Sequence, residues 1–206
     1  MCGSHEGGFL PFVIDMTEAV HKGTVNHLVV KANNELNESS LPCGTGKELH
    51  NGRMIATPYF DFFNYAGIHR SVYFVTKPKE GIIDFDTNYE LKGSDAEIQY
   101  KIITSQDSSR VVVTLLDAQG NQVQQTEGKE NTLSVEQAHL WRVRKPYLYT
   151  LKIQIQNENE IVDEYEAKIG IRTIRIDGTK ILVNEEPVYL KGFGKHEDFD
   201  LLGRAF

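Results

Sequence analysis

The feature that most limits the fold of this 206-residue chain is a run of short segments, after Pro78, in which apolar and polar residues alternate. The candidate strands in this run cover residues 82–85, 96–104, 110–117, 121–124, 132–135, 148–156 and 161–170. Turn residues separate the segments at intervals of about 8–12 residues, a spacing typical of a β-sandwich. We therefore predict a mainly β chain in which residues 79–172 form an immunoglobulin-like β-sandwich, with Trp141 as a packing residue at one end of its core.

The residues before position 78 carry weaker signals. Alternation predicts strands at 25–32 and 71–76, and the polar, Gly- and Asn-rich stretch between them, 33–66, is predicted to be a long loop. A short helix is expected at 15–21 with Thr17 as its N-cap.

After residue 172 the pattern changes again. A turn at Asp177-Gly178 predicts a hairpin that continues with strands at 180–183 and 187–190. A possible helix follows at 200–206, with no later element to cover its apolar side.

Charge and composition exclude several classes of function. The formal net charge is −7, and Lys and Arg form no consecutive block, so binding to nucleic acid is not expected. No apolar stretch reaches the roughly 20 residues that a membrane helix needs. Only Cys2 and Cys43 are present, which favours a cytoplasmic protein with free thiols. No motif for a phosphate-binding loop or a zinc site occurs, so neither a cofactor nor a metal is expected.

Four stretches, taken together and in this order, carry a family resemblance. They are residues 7–12, the aromatic stretch 59–70 (YFDFFNYAGIHR), the pair 146–149 with 170–172, and residues 192–198 (GFGKHED). In these positions the chain resembles the β-glucuronidases of glycoside hydrolase family two. The resemblance implies a partial jelly-roll sugar-binding domain at 1–78, the immunoglobulin-like domain at 79–172, and the beginning of a truncated (β/α)8 barrel at 173–206.

The resemblance also implies a function and a set of site residues. Family members are retaining hydrolases of β-D-glucuronides, and their two catalytic glutamates lie on later barrel strands, so no catalytic residue is expected in this chain. Asp61 and His196 match substrate-binding residues, while Asn64, Glu197 and Asp198 are possible contacts. The complete protein is expected to be a homo-oligomer, and this chain alone to be inactive.

The residues themselves leave alternatives open. Asp61 lies among aromatic residues that can pack against a sugar, which favours a sugar contact, and the alternative is that it orders its own loop through backbone N–H groups. His196 could donate a hydrogen bond to a sugar hydroxyl or belong to a capped helix start. Arg70, His5 and His69 are better explained as structural residues.

Two other functions remain possible at this stage. The chain could be a non-catalytic β-sandwich that binds carbohydrate or a protein, because a fold alone does not assign a function. It could also be a fragment of a family-two β-galactosidase or β-mannosidase.

Overall fold

The computed structural model describes residues 1–68, 70–107, 110–158 and 160–195, and the backbone of 198–199 and 203–204. This described part consists of strands, turns and extended segments, as the sequence predicted, and contains no α-helix. No helix long and apolar enough to cross a bilayer is therefore found in it. The chain forms two compact units, one made of 1–73 with 193–206 and the other of 74–192.

The first unit contains an antiparallel hairpin of β1 (Gly44–Glu48) and β2 (Met54–Pro58). This hairpin lies inside 33–66, so the prediction of a continuous loop was wrong there. Its turn carries Asn51-Gly52, with Gly52 at a φ of 77° and its N–H donating to the Leu49 carbonyl at 2.9 Å. Asn-Gly is a strong hairpin signal, and it was present in the sequence.

Two predicted strands and one predicted helix of this region are not formed. Residues 25–32 and 71–76 belong to no ladder, and a strand needs a paired neighbour for its backbone groups. At 15–21 there is a single turn, in which the Asp15 carboxylate accepts the N–H and the hydroxyl of Thr17 at 2.8 and 2.6 Å. Thr17 therefore donates to Asp15 within this turn and caps no helix.

The second unit contains the predicted seven-stranded sandwich. Its strands are β3 (Ile82–Lys92), β4 (Asp95–Thr104), β5 (Arg110–Leu116), β6 (Gln122–Glu127), β7 (Glu130–Val135), β8 (Tyr149–Asn157) and β9 (Glu160–Ile169). One sheet has the order β3-β4-β7 and the other the order β6-β5-β8-β9, and all neighbours are antiparallel.

Alternation along the strands builds the core between these sheets. In β4 every second residue from Ala96 to Ile102 is buried, and β8 buries every second residue from Tyr149 to Ile155. The fully buried side chains are large and aliphatic: Ile98, Leu115, Leu133, Leu151, Ile153, Ile155, Ile171, Val111 and Val113. Burial of this apolar surface is the main force that holds the two sheets together.

Trp141, predicted as a packing residue, is half-buried and packs against Gly170, which lies between the buried residues Ile169 and Ile171. Its ring lies so close to Gly170 that a Cβ there would come within 2.8 Å of the Trp141 Cδ1 atom. The Arg172 guanidinium lies over the same ring, 5.1 Å from its centroid. The indole therefore requires a glycine at position 170, and the Arg172 guanidinium makes a cation–π contact with it.

A three-stranded sheet follows the sandwich in the same unit, in the order β10 (Ile174–Asp177), β11 (Lys180–Val183), β12 (Glu186–Val188). The predicted turn at Asp177-Gly178 is present, with Gly178 at a φ of 56°. Asn184 fastens this sheet to the sandwich, because its side chain donates to the Trp141 carbonyl at 2.9 Å and accepts the Thr173 N–H at 3.0 Å.

The end of the chain belongs to the first unit. Strand β13 (Asp198–Phe199) pairs with β14 (Gly203–Arg204). The helix predicted for 200–206 is therefore absent at Gly203–Arg204, and its other residues lie outside the described part of the chain.

Candidate functional site

The predicted sugar-binding residue Asp61 lies in a bend directly after β2. The bend is fastened to the hairpin by the Tyr59 N–H, which donates to the Cys43 carbonyl at 3.2 Å. The hairpin in turn packs on Leu36, whose Cδ1 atom would be 2.8 Å from a Cβ at Gly44. Local packing thus fixes the point from which the aromatic segment 59–65 begins.

Aromatic residues flank Asp61 in the sequence, and their rings contact one another. Phe60 and Phe62 stack with centroids 4.2 Å apart, and Phe9 meets Phe62 edge-on at 6.3 Å. Phe63 and Tyr65 form a second pair at 5.8 Å. Asp61 itself is exposed, and its two neighbours in sequence are the stacked Phe60 and Phe62.

This combination suits carbohydrate recognition. An exposed carboxylate accepts hydrogen bonds from hydroxyl groups, and bonds to a charged acceptor are the stronger ones. Neighbouring ring faces can cover the apolar C–H face of a pyranose. The arrangement can therefore orient a sugar, while the hydrolysis of a glycosidic bond requires a pair of carboxyl groups at a set distance.

Asn64 has a defined structural task. Its side-chain amide donates to the Asn34 carbonyl at 2.8 Å, and its own carbonyl accepts the Asn34 side chain at 2.7 Å. This reciprocal pair fixes the aromatic segment against the stretch around residue 34. Asn64 and Asp61 lie three residues apart in one segment. The bonds between Asn64 and Asn34 therefore help to position the segment that carries Asp61.

The structure describes only some of the other predicted site residues. His196, Glu197 and also His69 lie outside the described residues, and Asp198 is described only as backbone in β13. Among described residues, Arg70 is exposed and His5 is engaged locally, through a 2.9 Å contact with the Gly7 carbonyl and stacking on Phe12. Cys2 and Cys43 are both free thiols. Within the described ranges no group of three or more His, Cys, Asp or Glu side chains could hold a metal.

Sequence reasoning missed a cleft in the second unit, lined by the loop between β7 and β8. The signal was the basic turn Arg142-Val143-Arg144-Lys145 next to Tyr147, in a chain whose net charge is negative.

Comparison with known proteins adds the family context. The family model of the glycosyl hydrolases family 2 matches residues 70–172. A β-glucuronidase of Paenibacillus borealis is 39% identical over 208 residues, which is 98% of this chain and 35% of that protein. The β-glucuronidase of Rattus norvegicus is 36% identical and is matched over 98% of this chain and 33% of its own length.

Solved structures show the same relation. A Ruminococcus gnavus β-glucuronidase is 56% identical with a TM-score of 0.93, covering 100% of this chain and 34% of that one. A b-glucuronidase from the same organism, in complex with D-glucuronic acid, is 52% identical with a TM-score of 0.90 and is covered over 36% of its length. The chain thus spans about a third of the length of the relatives that it matches.

Proposed function

The chain belongs to the glycosyl hydrolases family 2, and from this premise we propose that it is part of a β-glucuronidase that hydrolyses β-D-glucuronides. The observation that carries the proposal is that the matches to β-glucuronidases extend over at least 98% of the chain. They therefore include the Asp61 segment, which precedes residue 70, where the family model begins. Relatives with other glycosidase activities are not needed to account for any part of it.

In this proposal the chain contributes sugar binding and leaves the chemistry to the rest of the enzyme. Retaining hydrolysis needs a nucleophilic carboxylate and an acid/base carboxyl about 5–5.5 Å apart. We assign neither role to a residue of this chain, and we expect the 206 residues alone to be inactive. Asp61 would accept hydrogen bonds from hydroxyls of the glucuronate ring, and its exposed position beside Phe60 and Phe62 supports this role.

The remaining site residues take weaker roles. His196 would donate to a hydroxyl whose hydrogen bond tightens as positive charge develops on the sugar ring. Glu197 and Asp198 would lie beside it. Asn64 would act as a positioning residue for Asp61, which the reciprocal bonds to Asn34 support.

The setting of the complete enzyme is also a proposal. We infer a homo-oligomer in the cytoplasm. The two free thiols are compatible with a reducing compartment, and the oligomeric state rests on the family resemblance alone.

The experiment that tests the function places this chain in a whole enzyme. The corresponding segment of the R. gnavus enzyme, which is 52–56% identical, is replaced by these 206 residues. The chimera should hydrolyse 4-nitrophenyl β-D-glucuronide, and Asp61→Ala should lower kcat/KM by roughly a hundredfold, the loss expected for a hydrogen bond to charge in a site. Asp86→Ala, an exposed aspartate on β3, is the matched control and should leave kcat/KM unchanged.

Three results would count against the proposal. The melting temperature shows whether the chimera is folded. If a folded chimera prefers the β-galactoside or the β-mannoside, the glycone proposed here is wrong. Normal kcat/KM in Asp61→Ala would remove the role of Asp61. Turnover of the glucuronide by the isolated 206-residue chain would mean that its own carboxylates suffice for catalysis.

A further inference from the structure

A cleft of about 720 Å³ opens at one end of the sandwich unit, and no residue proposed to bind the glucuronide lines it. It lies between the β3–β4 turn and the loop 136–148 that joins β7 to β8. Its lining combines cations, aromatic rings and amide groups: Gly93, Ser94, Gln137, Ala138, His139, Leu140, Arg142, Lys145, Pro146 and Tyr147. Clefts of roughly 300–1,000 Å³ are the size at which proteins hold small ligands.

The loop that forms the cleft is held firmly in place. The Ala138 N–H donates to the Ser94 carbonyl at 2.8 Å, and the His139 N–H donates to the Tyr149 hydroxyl at 3.0 Å. Further along, the Trp141 N–H donates to the Ile171 carbonyl at 2.9 Å. A loop of this length without secondary structure is more often functional than not. Because it is already ordered, a ligand would bind without the entropic cost of ordering it.

Two like charges stand side by side in this cleft. Arg142 and Lys145 form a backbone bridge, with N–H to carbonyl distances of 3.3 and 3.0 Å in the two directions. Residues directly opposite each other in such a bridge have neighbouring side chains, and like charges in these positions repel. The turn between them adds Arg144, which has a φ of 69°.

The nearby acids compensate only part of this charge. Glu186 forms a 2.5 Å ion pair with Arg142, and Asp95 accepts the Gln137 N–H at 2.9 Å. Within the described residues Lys145 has no ion pair, and its side chain is exposed. The cleft therefore presents an unmatched positive charge at its edge, in a chain whose net charge is −7.

An aromatic platform lies in the same cleft. The His139 ring packs on Tyr147 with centroids 4.8 Å apart and planes 34° from parallel. Tyr147 is held from behind, by Tyr149 at 4.9 Å and by the Ala118 N–H, which donates to its hydroxyl at 3.2 Å. Since His139 is exposed, the imidazole offers a ring surface to a ligand, and Gln137 adds an amide beside it.

We propose that this cleft is a second saccharide site, which binds an acidic oligosaccharide through its carboxylate groups and one sugar face. Lys145 takes the carboxylate, while His139 and Tyr147 take the apolar face of a pyranose. Gln137 can bond a hydroxyl. The inference does not depend on the proposed hydrolysis, because none of these residues belongs to the Asp61 segment.

The test is a calorimetric titration of the 206-residue chain at low salt with three probes. The hyaluronan tetrasaccharide carries carboxylates and sugar rings, cellotetraose carries only the rings, and a tetra-aspartate peptide carries only the carboxylates. We expect saturable binding of the first probe alone. Lys145→Glu should weaken it about tenfold or more, as expected for the loss of a charged hydrogen bond. His139→Ala should weaken it by a smaller factor.

The controls separate this site from the rest of the molecule. Lys79→Glu makes the same charge change at another exposed lysine and should leave the affinity unchanged. An affinity lost in Asp61→Ala and kept in Lys145→Glu would place the saccharide at the Asp61 segment and overturn the proposal. Equal binding of the peptide would show that the ligand need not be a saccharide. If the chain melts cooperatively but binds none of the three probes saturably, the proposed site is wrong.

Discussion

Two regions of this molecule are rich in apolar residues and have very different structures. The stretch 25–32 of the first unit and strand β8 of the second are both rich in valine, isoleucine and leucine. In β8, Ile153 and Ile155 are completely buried, whereas Val25 and Val29 remain 83% and 90% exposed. The same residue types therefore give a core strand in one place and an exposed extended segment in the other.

The difference shows what a strand requires beyond its own residues. Strand β8 lies between β5 and β9, so its backbone groups are paired on both sides and its inward side chains meet the other sheet. The stretch 25–32 has no ladder partner in the described part of the chain. β-Propensity measures how well a residue fits a paired, half-buried surface. Without such a surface, a high β-propensity does not make the segment form a strand.

Hydrogen exchange should show the largest contrast. The amides of Ile153 and Ile155 can exchange only when the sandwich opens, so we expect them to be slowed by about a thousandfold or more. The amides of Val29 and Val30 should exchange close to the rate of an unfolded peptide. Proton–deuterium exchange followed by mass spectrometry measures both in one sample. Strong protection across 25–32 would show that this stretch acquires a ladder partner in solution.

Truncation of side chains should give the next largest contrast. Ile153→Ala leaves a cavity in the core and should lower the free energy of unfolding by about 2–5 kcal/mol. Val29→Ala should change it by no more than about 0.5 kcal/mol, as for other surface positions. Urea unfolding followed by far-ultraviolet circular dichroism measures the two changes.

A control within the second unit makes this comparison independent of the region. Ile161 on β9 is 54% exposed, so Ile161→Ala removes the same atoms without a cavity and should cost well under the core value. If Val29→Ala destabilised the chain as much as Ile153→Ala, the two regions would share one cooperative core.

The same contrast explains which elements the sequence predicted. In β4 and β8 the period of two agrees with turn residues at both ends, so the strands and the sandwich followed from the sequence. At 25–32 the alternation was weaker, and the partner strand that decides the outcome lies elsewhere in the sequence and leaves no local signal. The hairpin of β1 and β2 was missed for the opposite reason, since Asn51-Gly52 indicates a turn while its flanking strands are short, mostly exposed and without clear alternation.

The sequence likewise predicted some features of the candidate site and not others. The aromatic run on either side of Asp61 was visible in the sequence, and the stacking of Phe60 on Phe62 follows from residues two apart in the chain. The bonds between Asn34 and Asn64 join residues thirty apart, so no spacing rule indicated that Asn64 positions its segment. The cleft beside Lys145 needs the β3–β4 turn, the β7–β8 loop and Tyr149 to meet, which only the folded sandwich provides.

The smallest effect should appear in the titration of two carboxylates. In the second unit the Arg110 guanidinium, 2.6 Å from Glu127, lowers the pKa of that carboxyl below its ordinary value. In the first unit the hydroxyl and N–H of Thr17 lower the pKa of Asp15. The Glu127 contact joins β5 to β6 and exists only in the folded sandwich, whereas the Asp15 contact spans two residues of one turn.

This difference in range gives different expectations for the two pKa shifts when the chain unfolds. Because folding lowers the pKa of Glu127, its contribution is present above the pKa of the unfolded chain and is lost as the pH falls through the folded value. Since both partners are exposed, the contribution is small.

Carbon-detected NMR titration of the chain should show that Arg110→Gln raises the pKa of Glu127 and leaves that of Asp15 unchanged. In urea the Glu127 shift should vanish, while part of the Asp15 shift should persist, because a bond between neighbours two residues apart can form without the fold. A Glu127 shift that survived in urea would mean that β5 and β6 stay paired after the core has opened.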